Sequence, residues 1–339
     1  MPDGEMNTSV GTLFSPPDVN EARRHFKEKS RAMTSKLMSV SEAVTRFVHD
    51  GDYFASGGFG MVRISTAVLH EIVRQRKQHL GFAGHTATHD FEILAAGRCF
   101  DRCDVAYIVG LEMRGLSPQA RRYMESGAVQ VTEWSNAALG WRFKAAAMGL
   151  PFLPARTLLG TDTFKYSAAR EIHCPFTGEK LAALPALYPD VAVIHVHRAD
   201  VFGNAQFDGI SVADWDLARA SKHLIVTTER IVETADIRRK PELTQIPYWL
   251  VDAVCHVPYG CYPGNMPYEY YLDAAHLDEW VEAEKDGALL EAFLQKYIFG
   301  TKDFSEYLAL RGGEAHLAGL RALEPLHRAW EGMCQTAIT

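Results

Sequence analysis

Short apolar runs alternating with amphipathic helical stretches constrain this chain more than any other feature in it. Tyr53-Phe54-Ala55, Leu80-Gly81-Phe82-Ala83, Val105-Ala106-Tyr107-Ile108-Val109 and Val129-Gln130-Val131 are strand-length and bounded by Gly, Asp and His. Between them, residues 65–76 place Val68, Leu69, Ile72 and Val73 on one helical stripe, and Ser117-Pro118 reads as a cap followed by a first-turn proline. Residues 135–150 form a third helix, and an earlier one starts at Ser39 or Ser41, carries Val44, Phe47 and Val48 on one face and stops at Asp50-Gly51. Strand, helix, strand with short connections is the pattern of parallel crossovers. The expected fold class is therefore α/β, a mostly parallel sheet flanked by helices.

The alternation resumes with a buried strand at 190–196, a helix at 212–221 and strands at 224–227 and 251–257, and residues 276–297 and 304–310 read as helices. Residues 161–180, with Pro175 and Gly178 and no periodicity, read as a long functional or interface loop. Residues 1–20 read as a loose polar tail, followed by a basic, helical stretch (Arg23, Arg24, Lys27, Lys29, Arg31, Lys36) expected to be a solvated face. The division expected is 1–36 as tail and basic helix, 37–315 as one α/β domain, and 316–339 as a tail.

Composition removes several function classes. The 339 residues carry a formal charge of -7, which lacks the cationic field that a nucleic acid requires. The apolar runs are far short of the roughly 20 residues that cross a bilayer, so no membrane partner is expected. Six cysteines without a CxxC pair, and an amino terminus lacking a basic start and an apolar run, point to the cytoplasm.

Ligands in open α/β sheets gather beyond the carboxyl ends of the strands. Those ends carry Gly57-Gly58-Phe59-Gly60 with Arg63 beyond, then His85 and Thr86, then Glu112, then Ser135-Asn136. The glycine turn lets backbone approach a ligand and can aim N–H donors at an oxyanion, and Arg63 offers a planar fork to a carboxylate. Glu112 suits a general base or a substrate contact. His195 with His197, His85 with His89, and Cys255-His256 lack a convincing ligand set, so no metal is expected. Neither a nucleophile elbow nor a Walker loop is present.

Asp50-Gly51-Asp52 leading to Gly57-Gly58-Phe59 resembles the amino-terminal signature of family I CoA-transferases, and the alpha (A) chain of the glutaconate branch in particular. Matching stretches are Ala145–Pro154, Pro175–Lys180, Asp190–His195, Asp252-Ala253-Val254 with Pro258-Tyr259-Gly260, and Lys302-Asp303 with Glu306-Tyr307-Leu308. The likeness runs from about Leu37 to Leu310. It departs from the general signature at Ser56, and near Arg63 and Ser65. The resemblance implies the open α/β fold of CoA-transferases and NagB-like proteins. It also implies a reaction in which a glutamate attacks an acyl-CoA thioester, giving an acyl anhydride and then a glutamyl-CoA thioester that passes CoA to an acid.

That glutamate normally lies in a Ser-Glu-Asn-Gly-like motif of the B subunit, and this sequence has none. The implied role is to shape an acid-binding pocket, compatible with a dicarboxylate, through Gly57, Gly58, Phe59, Gly60, Arg63, His85, Thr86 and Asn136, with Glu112 as the candidate catalytic group. The implied partner is a B-type subunit in an A2B2 heterotetramer. Coenzyme A thioester enters as substrate, with no permanently bound cofactor expected. The alternative is one half of a CoA-ester hydrolase or lyase on the same scaffold, of the kinds that open steroid rings or decarboxylate glutaconyl-type thioesters.

Overall fold

A computed structural model describes residues 9–108 and 116–324. Its main sheet contains β1 (Tyr53–Ser56), β2 (Leu80–His85), β3 (Phe100–Ala106), β4 (Gln130–Glu133), β8 (Val191–Ala199), β10 (His223–Ile231) and β11 (Ala253–His256) in the order β11-β10-β8-β1-β2-β3-β4. All of those neighbours are parallel, and the short β9 (Ala205–Gln206) adds antiparallel to β8. A second sheet, β5 (Phe152–Ala155), β6 (Arg170–His173) and β7 (Lys180–Pro185), is antiparallel in the order β5-β7-β6.

Period-two alternation divides the sheet residues between two cores. Phe54, Phe82, Val193 and Ile225 face α2 (Val40–Phe47), α3 (Thr66–Arg74), α4 (His89–Ala96) and α5 (Pro118–Glu125). Ala55, Ala83, Ile194 and Val226 face α6 (Asn136–Ala147), α8 (Asp214–Ala220) and the small sheet. On the first face Phe82, Phe91 and Phe100 meet with ring centroids 5.0–5.8 Å apart and no exposed surface beyond 1%. Truncating one of these rings would cost about 3–5 kcal/mol.

The helix starts follow the capping chemistry of the sequence. Ser39 accepts from the Glu42 N–H, Ser117 from Ala120 with Pro118 behind it, and Ser135 from Ala138. The region expected to be one helix over 276–297 is divided into α10 (Ala274–Glu284) and α11 (Gly287–Leu294), because Asp286 caps the second by accepting from the Ala288 and Leu289 N–H groups. Residues 161–180 are not a loop: they hold α7 (Asp162–Tyr166), β6 and the tight turn into β7. The third strand covers 100–106, starting ahead of the expected Val105 because Asp104 is satisfied inside the fold, and Val109 of the expected run lies outside the described residues.

The amino-terminal segment is tied down from Ser9 onward. Val10 and Gly11 donate to the carbonyls of Lys165 and Ser167, and α1 (Val19–Glu28) starts on an Asp18 cap. Lys29 is no solvated charge either: its ammonium lies 2.6 Å from Asp252 and donates to the carbonyls of Lys222 and Leu250. At the other end, the boundary expected after residue 315 falls within α13 (Gly313–Leu323), whose Leu317 and Leu320 are core residues. Before it lie α9 (Thr234–Arg239) and α12 (Phe304–Leu310).

Asp104 on β3 joins the two sheets. It accepts from the Tyr53 hydroxyl and from Trp134 Nε1 at 2.6 Å, and its Oδ1 lies 2.6 Å from a guanidinium nitrogen of Arg142, whose Nε donates to the Pro185 carbonyl at 3.0 Å. The Arg142 guanidinium also stacks 4.2 Å from the Trp134 ring centroid. Asp104 and Arg142 are both buried, so removing one partner strands the other charge. Asp104→Ala should lower unfolding free energy by about 3–5 kcal/mol, whereas Asp104→Leu with Arg142→Met should recover most of that loss. Urea denaturation of the single and double variants measures both.

Candidate functional site

The chain runs outward from β1 through β2 and β3 to β4, then returns to place β8 against the other edge of β1 and continues outward through β10 and β11. The topological switch point is therefore between β1 and β8, and the crevice beyond their carboxyl ends is where such a sheet takes ligands. Gly57-Gly58-Phe59-Gly60 forms that end of β1. Gly57 and Gly58 are buried, and Phe59 and Gly60 are half-buried on the rim.

The turn's glycines are required by close approach within the chain. A Cβ on Gly57 would stand 2.8 Å from Asp214 Oδ1 and 2.9 Å from Ile194 Cγ1, and one on Gly58, at φ +89, would stand 2.6 Å from the Val62 carbonyl. The four N–H groups of the turn are donated inside the protein: Gly57 to Val193 O, Gly58 to Asp214 Oδ1, Phe59 to Val62 O and Gly60 to Thr86 O, all within 3.1 Å. The expectation that this turn offers an oxyanion hole is thereby revised. Its chemistry is a tightly fixed surface rather than a set of open donors.

Arg63 also differs from expectation. Its side chain is completely buried, with a guanidinium nitrogen 2.7 Å from Asp214 Oδ2, the same nitrogen donating to Ile210 O at 2.7 Å and its neighbour to His195 O at 3.3 Å. The guanidinium carbon lies 4.3 Å from the Phe207 ring centroid. The carboxylate that Arg63 grips belongs to this chain, at the start of α8. Its backbone is left-handed, φ +58, a conformation that persists because these contacts over-determine it.

His85 and Thr86 close the other side. The His85 ring is 5.8 Å from that of Phe59, and it stacks over α6 so closely that a Cβ on Gly140 would lie 3.7 Å from its Cδ2. Burial pushes the His85 pKa down, with the Asn136 backbone and Asp214 acting against it, which favours the neutral imidazole. Asn136 opens α6 beside this ring, and its Oδ1 is buried with no partner among the described residues. The structure thus brings Phe59, Gly60, His85, Thr86 and Asn136 together and turns Arg63 away. Glu112, the remaining expected residue, lies outside the described residues.

His195 and His197 are occupied by protein groups. His195 Nδ1 and Nε2 lie 2.8 Å from Thr227 Oγ1 and Glu229 Oε1, and Glu229 also accepts from the Tyr270 hydroxyl and the Tyr259 N–H. Burial works against the Glu229 carboxylate, but the His195 contact and these donors hold it below the ordinary glutamate range. Cys261 lies near enough to complete a three-ligand grouping with them. The 2.8 Å separation is that of a hydrogen bond, and the thiol is pushed far up by burial, which opposes the thiolate that a metal requires. His197 accepts from the Asp208 N–H and donates to Pro267 O.

Asp214, Thr88 and Asp90 belong to this site and were not singled out in the sequence. Asp214 was visible only as an acid in the first turn of a helix, and Thr88 and Asp90 as part of a polar strand end. Deeper under α4, Glu92 and Glu284 are both raised by burial, Glu284 also by the Glu92 charge, and Ser117 donates to Glu284. An unfolded glutamate titrates near ~4.3, so over the interval up to the raised folded value the native state holds more protons. Stability is fullest below that interval and declines as pH rises through it. Glu284→Gln should flatten this decline, as read by thermal melts from about pH 5 to about pH 8.

A coenzyme A transferase family model matches residues 37–256. The chain is 37% identical over 279 residues to the alpha (A) chain of 3-oxoadipate CoA-transferase from Pseudomonas knackmussii, covering 81% of this chain and 98% of that one. It is 32% identical to the alpha (A) chain of glutaconate CoA-transferase from Acidaminococcus fermentans, over 81% of this chain and 91% of that one. The crystal structure of glutaconate CoA-transferase from the latter organism superposes with a TM-score of 0.81 at 31% identity, covering 85% of this chain and 96% of the other.

Proposed function

Because the chain belongs to the coenzyme A transferase family as an A-type subunit, we propose that its β1/β8 crevice is one wall of an acid-binding pocket shared with a B-type subunit. The reaction moves CoA between an acyl-CoA and a carboxylic acid of the dicarboxylate class to which glutaconate and 3-oxoadipate belong. The observation that carries this reading is the placement of the fixed glycine turn, His85 with its neutral form favoured, and the start of α6 at one topological switch point, in a sequence without the Ser-Glu-Asn-Gly-like nucleophile motif.

In this reading the partner supplies the glutamate, which attacks the thioester carbonyl and expels the CoA thiolate, leaving an acyl-glutamyl anhydride. The thiolate then attacks the glutamyl carbonyl of the anhydride, releasing the first acid and leaving glutamyl-CoA. The acceptor carboxylate takes the glutamyl group from CoA, and the returning thiolate attacks the acceptor's acyl carbonyl, freeing the glutamate. This chain's contribution is shape and hydrogen bonding: His85 and Asn136 orient the acid over the turn, and Phe59 excludes water from it. Ile210, Val212 and Trp215, exposed beside Asp214 at the start of α8, form an apolar rim suited to the partner's approach. The assembly is A2B2 and works in the cytoplasm, and CoA enters as substrate. No helix among the described residues is long and apolar enough to cross a membrane.

Co-expression with its B-type partner should give CoA exchange onto glutaconate or 3-oxoadipate, and this chain purified alone should give none. His85→Ala should lower exchange by about 10-fold or more while leaving the complex assembled. Glu112→Gln should also reduce turnover. Full-speed exchange by the isolated chain would overturn the shared pocket, and thioester loss to water without transfer to an acid would replace the transferase reading with the hydrolase one.

A further inference from the structure

We propose that Asp90 is a positioning residue that fixes the glycine turn from behind, through Thr88, and so sets the shape of the pocket wall; this rests on the reading that the turn lines the acid pocket. Asp90 is 1% exposed and sits in the first turn of α4. Its Oδ1 accepts the Thr88 N–H at 2.8 Å. Thr88 in turn donates its hydroxyl to the Gly60 carbonyl at 2.7 Å, while the Gly60 N–H donates to Thr86 O at 3.1 Å. Both polar backbone groups of Gly60 are thus held by one three-residue loop, in which Thr86 is left-handed at φ +51.

The sheet makes room for this carboxyl at the ends of two strands. Gly84, near the end of β2, would place a Cβ 2.9 Å from Asp90 Oδ2, so any side chain there would collide with it. The Ser56 hydroxyl at the end of β1 is also beside it. Among the described residues Asp90 is held by hydrogen bonds rather than by an opposite charge, and burial raises it to about 7 against the lowering effect of those bonds. Burying an acid costs stability. What it supplies is a fixed register between the β1 turn and the β2 loop, the two segments that carry Phe59 and His85.

The test uses the assembled A–B complex with Asp90→Ala, Asp90→Asn and Thr88→Val. Asn keeps an acceptor oxygen for the Thr88 N–H, and Val removes only the hydroxyl bond to Gly60. We expect Asp90→Ala and Thr88→Val to lower kcat/KM for the acceptor acid about tenfold or more, mainly through KM, and Asp90→Asn to restore most of it. Hydrogen exchange at residues 57–62 should speed up in Asp90→Ala and Thr88→Val, with α10 and α11 unchanged. Wild-type kinetics in Thr88→Val, or an Asn variant as impaired as the Ala one, would overturn the proposal. If the wild-type complex exchanges no CoA, the transferase reading fails. Unaltered hydrogen exchange in Thr88→Val overturns the positioning role whatever the activity.

Discussion

The buried ion pair of Arg63 and Asp214 occupies the place where this sheet changes direction, and much else is arranged around it. Two charges at zero exposure are stable only if they are mutually paired and hydrogen-bonded, and here the Arg63 Nε alone of the guanidinium nitrogens has no partner among the described residues. Here the guanidinium meets the carboxylate, two carbonyls and an aromatic face, while the carboxylate also accepts the Gly58 N–H. Those demands dictate a glycine at 57, where any Cβ would strike Asp214, and a left-handed backbone at Arg63. They bring the start of α8 to the end of β1 and draw in the loop after β11, whose Asn265 carbonyl accepts the Arg63 N–H. The rim of the crevice is set by a contact buried within the protein.

The two faces of the sheet bury charge differently. Toward α6 and the small sheet, Asp104 is matched by Arg142, and the ring of Trp134 lies over that cation. Toward α4 and α10, Asp90, Glu92 and Glu284 are buried and raised, by burial against the lowering effect of their hydrogen bonds. Matched charge locks two elements together at every pH where both are ionised. Raised acids tie the same kind of interface to proton uptake.

Strands whose residues are apolar, and helices that open on a serine cap, were legible in the sequence, as β1, β2, β8 and α2, α5 and α6 demonstrate. The third strand was displaced because Arg102 and Asp104 break its apolar run, and Asp104 is satisfied only by partners 51, 30 and 38 positions away in sequence. Residues 161–180 hid a helix and a strand because both are too short to show a period. The same limit applies to the site. Phe59, Gly60, His85, Thr86 and Asn136, taken from strand ends rich in glycine and polar residues, lie together in the structure. The reading of Arg63 as a free donor failed because its acid lies 151 residues away, and no local pattern reports that distance.

Under the proposed shared pocket, such a wall accounts for fixed polar structure at a strand-end crevice in a sequence without the Ser-Glu-Asn-Gly-like motif. Acyl transfer through a carboxylate requires that the attacking group and the acid arrive in a set geometry, and geometry is worth several orders of magnitude in rate. Every N–H of the glycine turn is already committed within the protein, so the turn cannot slide to follow a substrate. His85 is packed between Phe59 and α6 with its neutral form favoured, so it can donate or accept a hydrogen bond without introducing a competing charge. Under that proposal, a mobile wall would let the reactive group of a B-type partner meet water as well as thioester. A rigid one, held by Arg63–Asp214 on one side and the Thr86–Thr88 loop on the other, leaves the order of encounters to the protein that brings the reactive group.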